Sequence, residues 1–308
     1  MQPLSPTRRW VLGALLMKAT MAGPDERVLA EVREMEARQG LKLVNPGGLR
    51  RGPLSDLQHP EGHIVGVHAV APDGATIIYK WPAHIHQPPG IPFLVVENVE
   101  ERAHPIVLEG QSASLAGISA GAKIVVVKAV SLVKVGRKSL LALDLHSGMV
   151  VHDLTRYVTE FELPDLESIS VSGQGTLTAL GSRERIQVIQ IPSGNSIYAG
   201  SGRFPKLSPD GKRLAYVERE RLYVHSLADG SSRELLRGAR VMGSGGWSPD
   251  GRFLAAGAWT KRIALEKRQI IVDTANGDYG AFGTLGEGDY GDEFVWISTK
   301  LLIQEDPR

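Results

Sequence analysis

An internal repeat, centred on a short turn of the type Ser-Pro-Asp-Gly, constrains this chain more than any other feature. The clearest copies lie at residues 207–215 and 247–255, where a basic residue and an apolar, strand-like run follow the turn. Four weaker copies have their turns at Ala71, Ser119, Ser172 and Ser298. Counted from the Ser or Ala of each turn, successive copies are 48, 53, 36, 40 and 50 residues apart. Periods of this length are typical of one four-stranded unit per repeat.

A second turn lies later in four of the repeats, after another strand-like run. These turns are His146-Ser147-Gly148, Pro192-Ser193-Gly194, Ala228-Asp229-Gly230 and Ala275-Asn276-Gly277. In both kinds of turn, Asp, Asn or Ser can bond to the nearby backbone, and Gly tolerates a positive φ. Each repeat therefore predicts strand, turn, strand, loop, strand, turn and strand, which is the pattern of a β-propeller blade.

The two ends of the chain complement each other. The last repeat contains only two expected strands, Glu293 to Ile297 and Leu301 to Gln304, while two further strand-like runs, Leu41 to Val44 and Leu49 to Leu54, precede the first repeat. Four strands in one shared blade would leave no exposed half-sheet. The prediction is an all-β chain, a six-bladed β-propeller of four-stranded blades over 41–308, closed by N-terminal and C-terminal strands that share one blade.

The fourth repeat carries a family resemblance. Residues 204–235 contain Ser-Pro-Asp-Gly, Leu-Ala-Tyr, Leu-Tyr-Val and Asp-Gly in this order. This repeat resembles the WD40-like (PD40) repeat of the TolB-type six-bladed β-propellers, and the resemblance extends over about residues 41–308. The chain has only a short helical segment at 23–40 where the TolB architecture has a separate N-terminal domain, so a TolB role in the cell envelope is not carried over.

The N-terminal segment predicts export. Arg8 and Arg9 precede an eight-residue apolar run, small residues follow at 19–23, and the first acidic residue is Asp25. This order is typical of a signal peptide. Residues 7–12 resemble the twin-arginine export signal.

We therefore expect a signal peptide at 1–22, cleaved after Ala22, followed by a short helix at 23–40. The apolar run is far shorter than the roughly 20 residues that cross a bilayer, so no integral membrane span is expected. The predicted location is periplasmic or secreted. A cytoplasmic protein with an ordinary N-terminal helix is the alternative.

Charge and composition exclude several classes of function. The 35 basic and 34 acidic residues leave a formal charge of +1, which provides no electrostatic argument for binding nucleic acid or an anionic membrane. The absence of cysteine excludes disulfides, thiolate metal sites and a cysteine nucleophile. We expect a monomer that binds a protein or a peptide.

A motif typical of a catalytic serine is present, but the internal repeat explains it better than catalysis does. Gly117-Ile118-Ser119-Ala120-Gly121 matches the nucleophile elbow, in which the serine stands between a strand and a helix. The β-branched residues at 125–127 favour a strand after the turn. Since Ser119 also occupies the turn position of the repeat, no catalytic residue is predicted.

His84 and His86 are the weak candidates for a metal site. In a strand the two rings would share one face, and a third imidazole could complete a zinc or copper site. However, Trp81-Pro82 and Gln87-Pro88-Pro89-Gly90 bracket the pair, and no carboxylate follows at a usual ligand spacing. The prediction is a surface loop with solvated histidines, no metal and no cofactor.

The central channel is the expected place for a ligand, because the innermost strands of all blades converge there. The residues five positions before each turn Ser or Ala are Gly66, Ser114, Glu167, Arg203, Gly243 and Glu293. The charged members, Glu167, Arg203 and Glu293, are the candidate ligand-binding residues.

Three functions are compatible with these features. The leading hypothesis is a non-catalytic, exported, TolB-like propeller that binds a protein or peptide partner on one face or at the channel mouth. The alternatives are a metal-assisted propeller hydrolase, lactonase or lyase, and a sensor of a small ligand.

Overall fold

The computed structural model describes residues 24–44, 50–51, 65–80, 94–99, 104–106, 111–131, 137–158, 163–236, 239–260, 267–284 and 294–302. Helix α1 (Pro24–Gln39) and the one-turn helix α2 (Thr299–Leu302) flank a series of strands. Three short 3-10 helices lie at Ala120–Ala122, Thr155–Tyr157 and Leu163–Asp165.

The strands form five sheets of four or five strands, which we number as blades in chain order, and one two-stranded sheet. Blade 1 contains β2 (Arg50–Arg51), β3 (Val65–Val70), β4 (Thr76–Lys80), β5 (Leu94–Asn98) and β6 (His104–Ile106). Blade 2 contains β7 (Gln111–Ile118), β8 (Ile124–Ser131), β9 (Lys138–Asp144) and β10 (Val150–Asp153). Blade 3 contains β11 (Ser168–Val171), β12 (Leu177–Gly181), β13 (Arg185–Gln190) and β14 (Ser196–Ser201).

Blade 4 contains β15 (Arg203–Leu207), β16 (Arg213–Glu218), β17 (Arg221–Ser226) and β18 (Ser232–Glu234). Blade 5 contains β19 (Ala239–Trp247), β20 (Phe253–Thr260), β21 (Lys267–Asp273) and β22 (Tyr279–Thr284). The remaining two strands, β1 (Leu41–Val44) and β23 (Val295–Ser298), form what we call the closing sheet. The predicted β-propeller with four-stranded blades is confirmed: among the described residues there are five blades, four with four strands and blade 1 with five, and a two-stranded sheet stands at the sixth position.

The repeat turn has the same hydrogen bonds in blades 2 to 5. The Ser119 N–H donates to the Ile124 carbonyl (2.9 Å), and the Ile124 N–H donates to the Ser119 hydroxyl (3.0 Å). Ser172, Ser208 and Ser248 repeat both contacts with the residue five positions later. All four serines are buried. Ser119 lies in the turn before strand β8, with the 3-10 helix Ala120–Ala122 between them.

Apolar side chains fill the spaces between successive sheets. Leu140 and Val126 of blade 2 pack with Ile169 and Leu180 of blade 3, and similar clusters lie at the other blade junctions. Between blade 5 and the closing sheet, the cluster also includes Val28, Val32 and Met35 of helix α1. Helix α1 therefore packs against the ring as part of its apolar core.

The structure confirms that an N-terminal and a C-terminal strand share one sheet, but it corrects the other two strands predicted for that sheet. β1 pairs antiparallel with β23, with Leu41 opposite Ser298. Within the run Leu49 to Leu54, the described residues Arg50 and Arg51 pair with β3 of blade 1 instead of this sheet, which requires a much shorter loop than pairing with the other end of the chain.

The expected strand from Leu301 to Gln304 is also wrong, because Thr299–Leu302 is helical. The Lys300 N–H donates to the Ser298 hydroxyl (3.4 Å), as at a helix start, and the turn buries Leu301.

The segment expected to be a signal peptide, 1–22, lies outside the described residues. In the described part of the chain, no helix has the length and apolar character that crossing a membrane requires.

Candidate functional site

A cavity of about 280 Å³ lies on the axis of the ring, and its wall includes residues of the innermost strands of all six sheets. Each strand contributes the residue two positions before its turn Ser or Ala, namely Ala69, Gly117, Ser170, Lys206, Gly246 and Trp296. Four of these six side chains are small or absent, which leaves room along the axis. We call the end where the innermost strands begin the strand-start mouth, and the end with the repeat turns the turn mouth.

Glu167 lies at the strand-start mouth and lines the cavity, as the sequence predicted. It directly precedes β11, and its N–H donates to the Gly181 carbonyl (2.8 Å). Its carboxylate is 3.2 Å from Nε of Arg183, and the two side chains are 39% and 86% exposed. An ion pair as exposed as this contributes little to stability. The Glu167 carboxylate is therefore accessible to a ligand.

Arg203 is exposed at the start of β15 and does not itself line the cavity. Its guanidinium carbon lies 4.8 Å from the ring centroid of Phe204, which does line it. Phe204 has a φ of 53°, which is rare for a bulky residue. The Ser244 hydroxyl donates to its carbonyl, and the pairing of β15 with β16 is irregular between Arg203 and Lys206. Distorted backbone of this kind is concentrated at binding sites.

Lys206 is the cavity residue that sequence reasoning missed. It is half-buried in the wall, and its carbonyl accepts a hydrogen bond from Nε1 of Trp247 (2.9 Å). The aligned repeats contain a signal that could have identified it. At the position two residues before the turn Ser or Ala, Lys206 is the charged residue.

A second cation, Lys128 of β8, lies behind the wall and was also missed. Its side chain is buried, and Nζ donates to the Leu166 carbonyl (2.8 Å), one residue before Glu167. Burial lowers the pKa of Lys128, and Lys138 lowers it further, while Asp165 and Glu167 oppose the shift. The buried ammonium holds the backbone that leads into Glu167.

The remaining candidates are not brought into this site. Glu293, His84 and His86 lie outside the described residues. Among the described residues there is no group of three or more His, Asp or Glu side chains that could hold a metal ion. The charged groups that the structure places around the cavity are therefore Glu167 and Lys206, with Arg203 beside Phe204.

No protein-family profile matches the chain, and no curated protein matches its sequence. Solved structures do match the fold. TolB from Acinetobacter baumannii aligns with a TM-score of 0.50 and 15% identity over 73% of this chain, which spans 56% of the length of that protein. A protein assigned as TolB from Agrobacterium tumefaciens aligns with a TM-score of 0.48 and 14% identity over 77% of this chain and 90% of its own.

An oligogalacturonate lyase from Vibrio parahaemolyticus aligns with a TM-score of 0.49 and 10% identity over 80% of this chain and 74% of its own. At these identities the likenesses show the fold and not the activity. The chain has a TolB-like β-propeller fold.

Proposed function

We propose that this chain is a non-catalytic binding propeller, which holds a segment of a protein or peptide partner at the strand-start mouth of its channel. The observation that carries the proposal is the axial cavity, walled by all six sheets and bearing Glu167 and Lys206. Pockets for small molecules usually measure about 300–1,000 Å³. A cavity of about 280 Å³ suits a side chain or a chain end, while the rest of the partner lies on the outer face.

The charges at this mouth suit a segment that has both signs of charge. The Glu167 carboxylate can accept hydrogen bonds from an ammonium group, either a chain N-terminus or a lysine. The Arg203 guanidinium, held against Phe204, can bind a carboxylate through two parallel hydrogen bonds. A short peptide with free ends carries both groups.

We further propose that the protein is exported to the periplasm or beyond. The support is the order of Arg8, Arg9, the short apolar run and the small residues before Pro24. Sequencing the N-terminus of the protein recovered from cell fractions tests this, and a cytoplasmic protein that retains residues 1–22 would contradict it.

The binding proposal is tested with an array of short peptides with free termini, probed with the purified protein. The variants Glu167→Lys and Arg203→Glu should each weaken the best peptide by about tenfold or more, which corresponds to about 1.4 kcal/mol. The matched controls Glu34→Lys and Arg38→Glu change the same charges on exposed positions of helix α1 and should leave affinity unchanged.

Two results would count against the proposal. The first is a peptide whose affinity is the same in all four variants. The second is a stoichiometric divalent metal in the purified protein, which would favour the alternative of a metal-assisted lactonase or lyase.

A further inference from the structure

The turn mouth, at the opposite end of the channel, carries three exposed lysines. Lys123 and Lys212 follow the repeat turns of blades 2 and 4, and Lys300 follows the turn of the closing sheet. The three turns belong to alternate sheets of the ring, and all three lysines are exposed. Within the described part of the chain, none of the three takes part in an ion pair.

The carboxylates of the acidic residues in the repeat turns accept hydrogen bonds from nearby N–H groups and turn serines. Asp73 accepts hydrogen bonds from the Ala75 N–H (3.0 Å) and from the Gly121 N–H of the next blade (2.7 Å). Asp210 and Asp250 each accept from the turn serine (2.5 and 2.6 Å) and from a following N–H (3.1 and 3.0 Å). The carboxylates complete the turns, whereas the ammonium groups extend into solvent.

The positive charge continues from the rim into the channel. Lys206 lies two residues before Ser208, in the wall of the same cavity that reaches Ala71 and Pro72 at the turn mouth. Arg252, in the corresponding turn of blade 5, contributes less because it is paired with Asp273 and Glu31. Lys206 thus lies in the wall of the cavity, and Lys123, Lys212 and Lys300 are the exposed lysines of the turns at this mouth.

We propose that the turn mouth is a docking surface for an acidic segment of a protein partner. Carboxylates of the segment contact Lys123, Lys212 and Lys300 at the rim. This site is distinct from the strand-start mouth. The two are separated by the length of an innermost strand, roughly 16 Å for five residues.

The probe is a fluorescein-labelled peptide of alternating Glu and Gly, measured by fluorescence anisotropy at low and moderate salt. The wild-type protein should bind it, and the affinity should fall as salt rises. The triple variant K123E/K212E/K300E should lose at least about tenfold in affinity. The matched triple variant R137E/R219E/R240E makes the same change in net charge at exposed positions at the strand-start end of the blades and should stay within about twofold of wild type.

Equal losses in the two triple variants, or no binding by the wild type, would overturn the proposal. Tighter binding of a single-stranded oligonucleotide of equal charge would also overturn it, since the partner would then be a nucleic acid. If K123E/K212E/K300E does not melt like wild type, the single variants K123Q, K212Q and K300Q replace it, and each should weaken binding. Glu167→Lys changes the strand-start mouth and should leave the affinity for the Glu-Gly peptide unchanged. This variant therefore distinguishes a failure of the present proposal from a failure of the binding proposal for the strand-start mouth.

Discussion

At the scale of single residues, two turn glycines share a left-handed backbone conformation but are required for different reasons. Gly74 has a φ of +69°, and a Cβ there would lie 2.6 Å from the Trp296 carbonyl and 3.1 Å from Leu41. Gly230 has a φ of +74°, but a Cβ there would meet nothing within 4 Å. The first glycine is required by a close approach of two sheets, the second by its backbone conformation alone.

Alanine substitutions at these two glycines should therefore have unequal effects. Gly230→Ala is expected to cost about 1–2 kcal/mol, the cost of a left-handed conformation with a side chain. Gly74→Ala should cost about 1–3 kcal/mol more, because the clash is with backbone that cannot move without displacing β23. Urea denaturation monitored by tryptophan fluorescence measures both values. Equal losses would show that the turn of blade 1 is not tightly packed on the closing sheet.

His225 should make stability depend on pH. Its ring lies 4.5 Å from that of Tyr198 in the neighbouring blade, and its Nδ1 is 2.8 Å from the Ser232 hydroxyl. Burial lowers the pKa of His225 below its ordinary value of 6.5, and the Asp229 charge only partly opposes this. The folded protein therefore binds this proton less readily than the unfolded chain, and stability falls as the pH drops through 6.5.

The free energy of unfolding should accordingly decrease from pH 7.5 to pH 5.5, and the decrease should be smaller in His225→Gln. The other histidines are common to both proteins, so the difference between the two slopes isolates His225. Identical slopes would show that His225 accepts its proton equally well in the folded and unfolded states.

At the scale of elements, helix α1 is joined to blade 5 by charge as well as by apolar contacts. Arg252 Nη2 is 2.7 Å from the Asp273 carboxylate, whose side chain is only 4% exposed. The same Nη2 contacts the Glu31 carboxylate of the helix, which is 35% exposed. The hydrogen bonds that Arg252 donates to the Asp273 carboxylate outweigh the effect of desolvation and raise the pKa of Arg252.

Removing the arginine should therefore cost more than removing its exposed partner. Arg252→Met leaves the Asp273 carboxylate buried without its cation and is expected to cost about 2–4 kcal/mol. Glu31→Gln removes only a surface ion pair and should cost less than about 1 kcal/mol. Thermal melting at neutral pH compares them, and similar shifts in Tm would mean that Asp273 finds another partner.

The elements that the sequence predicted well are those specified by local chemistry. The Ser-Pro-Asp-Gly turns of blades 4 and 5, their weaker copies in blades 2 and 3, and the strand-like runs beside them predict the strands of these blades from local sequence. Arg50–Arg51 and Thr299–Leu302 were misassigned because their structure depends on which other segment is near.

The candidate site was predicted in part for a similar reason. Counting five residues back from Ser208 assumes a regular strand, but the positive φ of Phe204 interrupts β15. Arg203 therefore lies beside the wall and not in it, whereas Lys206 lines the cavity at the position that all six sheets contribute. Glu167, which precedes the regular strand β11, was placed correctly.

At the scale of the whole molecule, β23 bridges the first and last blades. The Gly246 N–H of blade 5 donates to the Phe294 carbonyl (2.5 Å), and the Ser298 N–H donates to the Gly74 carbonyl of blade 1 (2.9 Å). The strand also carries Trp296, which is buried against helix α1 and blade 5. The ring is therefore continuous only when β23 is in place.

A chain that stops before Phe294 should be much less stable than one that stops after Leu302. The shorter chain loses β23 and exposes the apolar cluster beneath helix α1, so its Tm should fall by roughly 10 °C or more. The longer chain keeps all the described contacts of β23 and should melt within about 2 °C of the full-length protein. Equal melting of the two truncations in differential scanning calorimetry would contradict the bridging role.

The pairing of β1 with β23 also sets an order of events during translation. β1 leaves the ribosome first, yet its partner is made about 250 residues later. At synthesis rates of about 5–20 residues per second, β1 and helix α1 wait on the order of 13–50 seconds for it. Blades 1 to 5 can assemble in the meantime from contacts between neighbouring segments. Helix α1 and β1 are therefore made before the blades but fixed after them, and throughout this interval both elements are open to contact with other cellular factors.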